Sequence, residues 1–250
     1  MWMQGMIINK FKYYNQIFYV PWFRKGYIMN NNASFNYAEH SEITVKNQKD
    51  MDMIPFDYNG TIYIESGSAI TPIIVRHKYE HPVYVRGNAF VKAINNSTIY
   101  AFDESTIHAY DNAIVESWDN THVASFDKCT VHAHGNTAVN SFNYTYLYIN
   151  DNALASAFDN SIVTASGNSF VTAYDYCQID ASGSARIDAN NDCRVSSRGN
   201  SFVYADDDSR VSAWESSKVH AYSNSRVYTT DNAVAESFDN ARVTVYNTEQ

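Results

Sequence analysis

Between His81 and Thr248 the chain divides into 21 consecutive octads with no insertion or deletion. Ser105 to Asn112 (STIHAYDN), Ala153 to Asn160 (ALASAFDN) and Ala233 to Asn240 (AVAESFDN) are examples. A fixed period this short is the strongest constraint a sequence can place on its fold. Position 3 is Val, Ile, Leu or Ala in all 21 octads, and position 5 is Ala or Ser in 17. Position 1 is Ser, Ala, Thr or Cys in 20, with His81 the exception. Positions 7 and 8 are dominated by Asp, Asn and Gly. Side chains of an extended strand alternate between faces, so positions 1, 3 and 5 share one small-large-small face, and positions 2, 4 and 6 face out. Asp, Asn and Gly tolerate a left-handed backbone and suit a tight corner. The octads never show the 3.6-residue spacing of an amphipathic helix. The pattern predicts an all-β parallel β-helix, or solenoid, of short strands stacked coil on coil.

Composition supports this reading. The chain holds 20 Tyr, 13 Phe and 4 Trp but only two leucines, Leu147 and Leu154. Leu is the mainstay of helical cores, so a helical bundle or doubly wound α/β enzyme is excluded. No segment is apolar for long enough to span a bilayer, and no signal peptide is read at the N-terminus. All five position-7 glycines (Gly87, Gly135, Gly167, Gly183, Gly199) and all three cysteines (Cys129, Cys177, Cys193) fall on alternate octads. That alternation predicts two octads, or 16 residues, per coil. Residues 1–80 lack the octad and are read as an N-terminal, β-rich capping region, with strands near 16–20, 61–64 and 73–76. Residues 81–250 are the solenoid. The last octad runs on without a capping device, and its end is a candidate surface for a homo-oligomer.

The octad Ser/Ala-x-Val-x-Ala-aromatic-Asp/Gly-Asn resembles octapeptide-repeat β-solenoid proteins of bacteria and phages. The resemblance covers residues 81–248 and implies the fold. It implies little about function, because solenoids serve as adhesins, spikes, inhibitors and scaffolds, and no functional residue carries over from it.

The chemistry legible in the residues favours binding over catalysis. A regular rod with no corner insertion offers no water-excluding pocket, so no enzyme activity, catalytic residue or cofactor is expected. Asp188 and Asp206 lie on adjacent coils of one face but have no cleft around them. Glu116, His132 and His134 are a weak candidate metal cluster, because a flat sheet supplies few groups to orient the rings. The cysteines occupy a small-residue core position and are read as free, buried thiols; this agrees with a cytoplasmic setting, with a virion or cell surface as the alternative.

Charge gives the first functional reading. Formal net charge is −9, which argues against direct binding of nucleic acid, and residues 81–250 carry 10 basic against 20 acidic side chains. Corner aspartates Asp103, Asp111, Asp119, Asp127, Asp151 and Asp159 suggest an acidic face for a protein partner. One version is a phage or mobile-element inhibitor that imitates nucleic-acid charge and engages a nucleic-acid-binding protein. Position-6 aromatics, among them Phe102, Tyr110, Trp118, Phe126, Trp214 and Tyr222, give the alternative of an adhesin binding carbohydrate. They could equally cover the corners by stacking on one another. Arg194, Arg210, Arg226 and Arg242, sixteen apart, form one column and a candidate contact strip for acidic groups. A purely structural spacer is the remaining reading.

Overall fold

The computed structural model describes residues 10–13, 16–19, 42–65 and 68–246. Two parallel sheets of 13 and 11 strands form a solenoid of about 13 turns, and from Thr61 onward successive strands alternate between the sheets. Within each sheet, octad strands pair sixteen residues apart: Val115 with Val131 in the larger sheet, Val123 with Val139 in the smaller. Each coil therefore contains two octads. At ~4.8 Å between paired strands, the register turns sequence columns into straight rows along the rod.

The interior consists of positions 1, 3 and 5. Ile107, Ala109, Val131, Ala133, Val171 and Ala173 are fully buried. One aliphatic residue between two small ones fills a narrow space from each side, which explains the scarcity of leucine. Some position-1 hydroxyls also close the corner before them: Thr137 Oγ1 donates to His134 O at 2.8 Å, and Ser161 Oγ to Phe158 O at 2.9 Å. Position 7 makes the bend. All 20 described position-7 residues have φ between +53° and +70°, five of them glycines. Backbone hydrogen bonds continue through the corners, as from Asn120 N to Asp103 O at 3.0 Å.

The two sheets reach further toward the N-terminus than the octads do. Residues 42–80, read above as part of the capping region, contribute strands Glu42–Val45, Thr61–Ile64 and Ile73–Val75 to the same sheets. Ile62 pairs with Val83, 21 residues away, and Ile73 with Val91, 18 away, so insertions between strands hide the period. One insertion contains a short helix, Gln48–Asp52, capped by Asn47, whose side chain accepts from Asp50 N. Helical spacing is absent from the octads but not from this segment. Gln48 Oε1 accepts from Ile74 N at 2.6 Å and joins the helix to the solenoid wall. A separate hairpin pairs Lys10–Tyr13 with Gln16–Tyr19. The aromatic-rich stretch at Trp22, Phe23 and Tyr27 and the terminal Glu249 and Gln250 lie outside the described residues. At the C-terminal end, Val234–Ser237 and Arg242–Val245 are the last described strands, and Val245 is 65% exposed. No helix among the described residues is long and apolar enough to cross a membrane.

Candidate functional site

The six corner aspartates occupy two opposite edges rather than one face. Asp103, Asp119 and Asp151 follow strands of the 13-stranded sheet; Asp111, Asp127 and Asp159 follow strands of the 11-stranded sheet. Each has positive φ and helps to form its corner. Five of the carboxylates also accept a backbone N–H from the preceding coil. Gly87 N donates to Asp103 at 2.8 Å, Asn95 N to Asp111 at 3.1 Å and Asp103 N to Asp119 at 3.2 Å. Gly135 N donates to Asp151 at 3.1 Å and Asn143 N to Asp159 at 3.0 Å. Asp127 accepts instead from the Asn143 side-chain amide at 3.4 Å. Asp159 is half-buried and the other five are exposed. Asn191 performs the same task, accepting from Asp175 N at 3.2 Å, so the ladder needs an acceptor but not a charge.

The position-6 aromatics also form two columns, and their ring faces cover one another. On the 11-stranded side, Tyr110, Phe126, Phe142, Phe158 and Tyr174 stack at 4.9–5.1 Å between centroids, with planes within 10° of parallel. Further along, Tyr222 stacks on Phe238 at 4.8 Å. On the other side, Phe102 stacks on Trp118 at 4.8 Å, and Trp118 on His134 at 5.5 Å. Trp214 lies farther along that column, half-buried. These faces are occupied within the ladder, which leaves mainly ring edges to solvent. Within the columns only the C-terminal Phe238 and Tyr246 are strongly exposed, at 41% and 54%; other exposed aromatics sit on other positions, Tyr144 at 58% and Tyr176 at 62% on position 8 and Tyr146 at 44% on position 2.

The three metal-candidate residues lie as the register requires, with Glu116 paired to His132. However, His132 lies flat on Tyr148 at 4.5 Å and His134 on Trp118, so both imidazoles are held by aromatic neighbours. Among the described residues, no group of three His, Cys, Asp or Glu side chains is placed to hold a metal ion. Asp188 pairs in register with Thr172 and Tyr204, not with a carboxylate. Partial burial raises its pKa, opposed by Arg186 two residues away. Asp206 accepts from Ser223 Oγ at 2.5 Å and from Asp207 N at 2.7 Å, which gives it a corner-closing role.

Cys129, Cys177 and Cys193 are free and fully buried. Burial raises the Cys129 thiol from 9.0 to about 11. Cys193 is pushed up by its hydrogen bond with Cys177 in the adjacent coil and by burial, and the same hydrogen bond lowers Cys177 against the opposing effect of burial. All three lie in the closed interior, out of reach of solvent-borne reagents.

Arg194, Arg210, Arg226 and Arg242 occupy adjacent strands of the 13-stranded sheet in exact register. All four are exposed, and none lies within ion-pair distance of a carboxylate among the described residues. Comparison with protein-family models, curated proteins and solved structures finds no match to this chain.

Proposed function

We propose that this protein is a non-catalytic interaction module that binds a basic protein surface through its two carboxylate edges. An inhibitor that imitates nucleic-acid charge is one form of that activity. The observation that supports the reading is the pair of aspartate columns, mostly exposed and, except at Asp127, held by backbone donors. Between Asp103 and Asp127, both corners of each coil carry a carboxylate. Two charges per ~4.8 Å coil amount to one per ~2.4 Å of axis. Duplex DNA carries about one per 1.7 Å, so the local density approaches that of a nucleic acid although the whole rod does not. Residues 81–184 hold three basic side chains against ten acidic ones, which concentrates the field in this half. Carboxylates already ordered by the corner ladder lose little side-chain freedom on binding.

The test is capture of partners from the natural host with the wild-type chain and with Asp103→Asn/Asp111→Asn/Asp119→Asn/Asp127→Asn. Asparagine keeps the acceptor that the corner requires and removes only the charge. A basic protein captured at low salt, released at about 0.5 M salt and lost in the variant is the expected result. Capture that ignores both salt and the substitutions refutes the reading.

A further inference from the structure

The outward surface of the 13-stranded sheet is not uniform. Position 4 runs Tyr148, Thr164, Asp180, Ser196, Ser212, Tyr228 in successive paired strands. Four short side chains lie between two tyrosines, and the trough over them, a depression of about 580 Å³, is lined from Thr164 to Tyr228. The two tyrosines stand five strand spacings apart, ~24 Å. Tyr228 closes one end of the depression, and Tyr148 stands one strand beyond the other. Tyr148 is covered on one side by His132, and Tyr228 stacks against Tyr246 at 6.1 Å. These neighbours come from the coils outside the trough, so the opposite ring faces border the short residues. Both tyrosines are about two-fifths exposed, at 40% and 39%. One wall is the position-2 column, including Gln178, Arg194 and Arg210.

We propose that this trough binds an acidic oligosaccharide, a short chain of sugars bearing carboxylate or sulfate groups. Three features select that chemistry. The guanidiniums of Arg194 and Arg210 have no carboxylate partner among the described residues and present planar forks suited to such anions. Thr164, Ser196 and Ser212 line the floor with hydroxyls, which both donate to and accept from sugar hydroxyls. Asp180, held by Arg198 at 3.9 Å, adds an acceptor. Aromatic faces at the two ends supply stacking surfaces for terminal sugar rings. A nucleic acid or polyglutamate fits less well. Asp180 lies in the floor, and Asp192 and Asp208 precede Arg194 and Arg210 by two residues. A sugar chain brings hydroxyl donors beside each acid group that can bond to Asp180 and to the floor hydroxyls, which the side chains of polyglutamate and the backbone of DNA lack. The site is separate from the carboxylate edges and uses none of their residues.

Binding is measured by titration calorimetry with oligogalacturonate, a sulfated chondroitin fragment, maltohexaose, hexaglutamate and oligo(dT). Wild type is compared with Arg194→Gln/Arg210→Gln, Ser196→Trp and the four-Asp→Asn edge variant. Ser196→Trp fills the floor without changing charge, and outward tryptophans already occur at Trp118 and Trp214. Circular dichroism verifies that each variant is folded. The expected result is saturable, salt-sensitive binding of at least one acidic sugar. Affinity should fall at least tenfold in both trough variants and stay unchanged in the edge variant. The proposal is overturned if neither acidic sugar binds, if the trough variants bind as wild type, or if hexaglutamate or oligo(dT) binds as tightly.

Discussion

Replacing Gly167 by alanine tests the coil geometry at its tightest point, with Gly87→Ala as an internal control. Both glycines have nearly the same left-handed backbone, φ +68° and +67°. A Cβ at Gly87 would meet nothing within 4 Å, whereas one at Gly167 would lie 2.8 Å from Asp151 N and 3.1 Å from its Cα and O. The neighbouring coils are already close there: Asn168 N reaches Asp151 O at 2.7 Å, against 3.0–3.1 Å for Asn120 on Asp103 and Glu104 on Gly87. Left-handed strain costs alanine about 1–2 kcal/mol, partly offset by the lower entropy of its unfolded chain. Gly87→Ala should therefore cost about 1 kcal/mol. Gly167→Ala adds the overpacking penalty, about 1–3 kcal/mol, because the obstacle is backbone and cannot rotate away. Urea unfolding followed by circular dichroism gives the two differences, provided the transition keeps its slope. Hydrogen exchange at Asn168 adds a local readout, since its bond must lengthen in Gly167→Ala alone. Equal losses of stability, or unchanged exchange at Asn168, would refute the stacking distance on which the register argument rests.

Three other outcomes follow from the packing and the buried thiols. Phe142→Ala removes the middle ring of the five-ring ladder and both stacking contacts. It should cost about 2–4 kcal/mol in urea unfolding, with measurable coupling to Phe126→Ala in a double-mutant cycle. Ser209 is fully buried, and its hydroxyl has no hydrogen-bond partner among the described residues, whereas Ser201 donates to Arg198 O at 2.8 Å. Ser209→Ala should therefore be neutral or stabilising by up to about 1 kcal/mol, and Ser201→Ala destabilising by about the same, in parallel thermal melts. Cys129 has a folded pKa raised by burial from 9.0 to about 11. Its contribution is intact below pH 9 and is lost as pH rises toward 11, at roughly 1.4 kcal/mol per pKa unit. Cys129→Ser should flatten this alkaline loss, read from unfolding midpoints between pH 8 and 11.

The fold was legible because each element of the repeat has one physical task. Valine at position 3 and alanine at position 5 fix the inner face, and positive φ at position 7 explains the Asp, Asn and Gly there. The alternation of Gly135 and Cys129 with octads lacking them revealed the two-octad coil. Residues 42–80 were harder to read. Ile62 and Val83 pair across an irregular spacing, and no octad marks Glu42–Val45 as a sheet strand. For the site, the arginine column was visible once the register was known. The six aspartates looked like one face because the sequence shows their repeat but not the edge each corner turns toward. The trough escaped notice for a related reason. Thr164, Asp180, Ser196 and Ser212 are unremarkable singly, and become a depression only beside Tyr148 and Tyr228.

The central functional claim is that exposed corner charge, rather than the corner itself, recruits a partner. It is tested most directly by the salt dependence of partner binding to wild type and to the four-asparagine variant at Asp103, Asp111, Asp119 and Asp127. The account predicts that wild-type affinity falls steeply with ionic strength, and that the variant keeps its fold but loses most of its low-salt affinity. A variant that binds as tightly as wild type, with the same salt dependence, would contradict it.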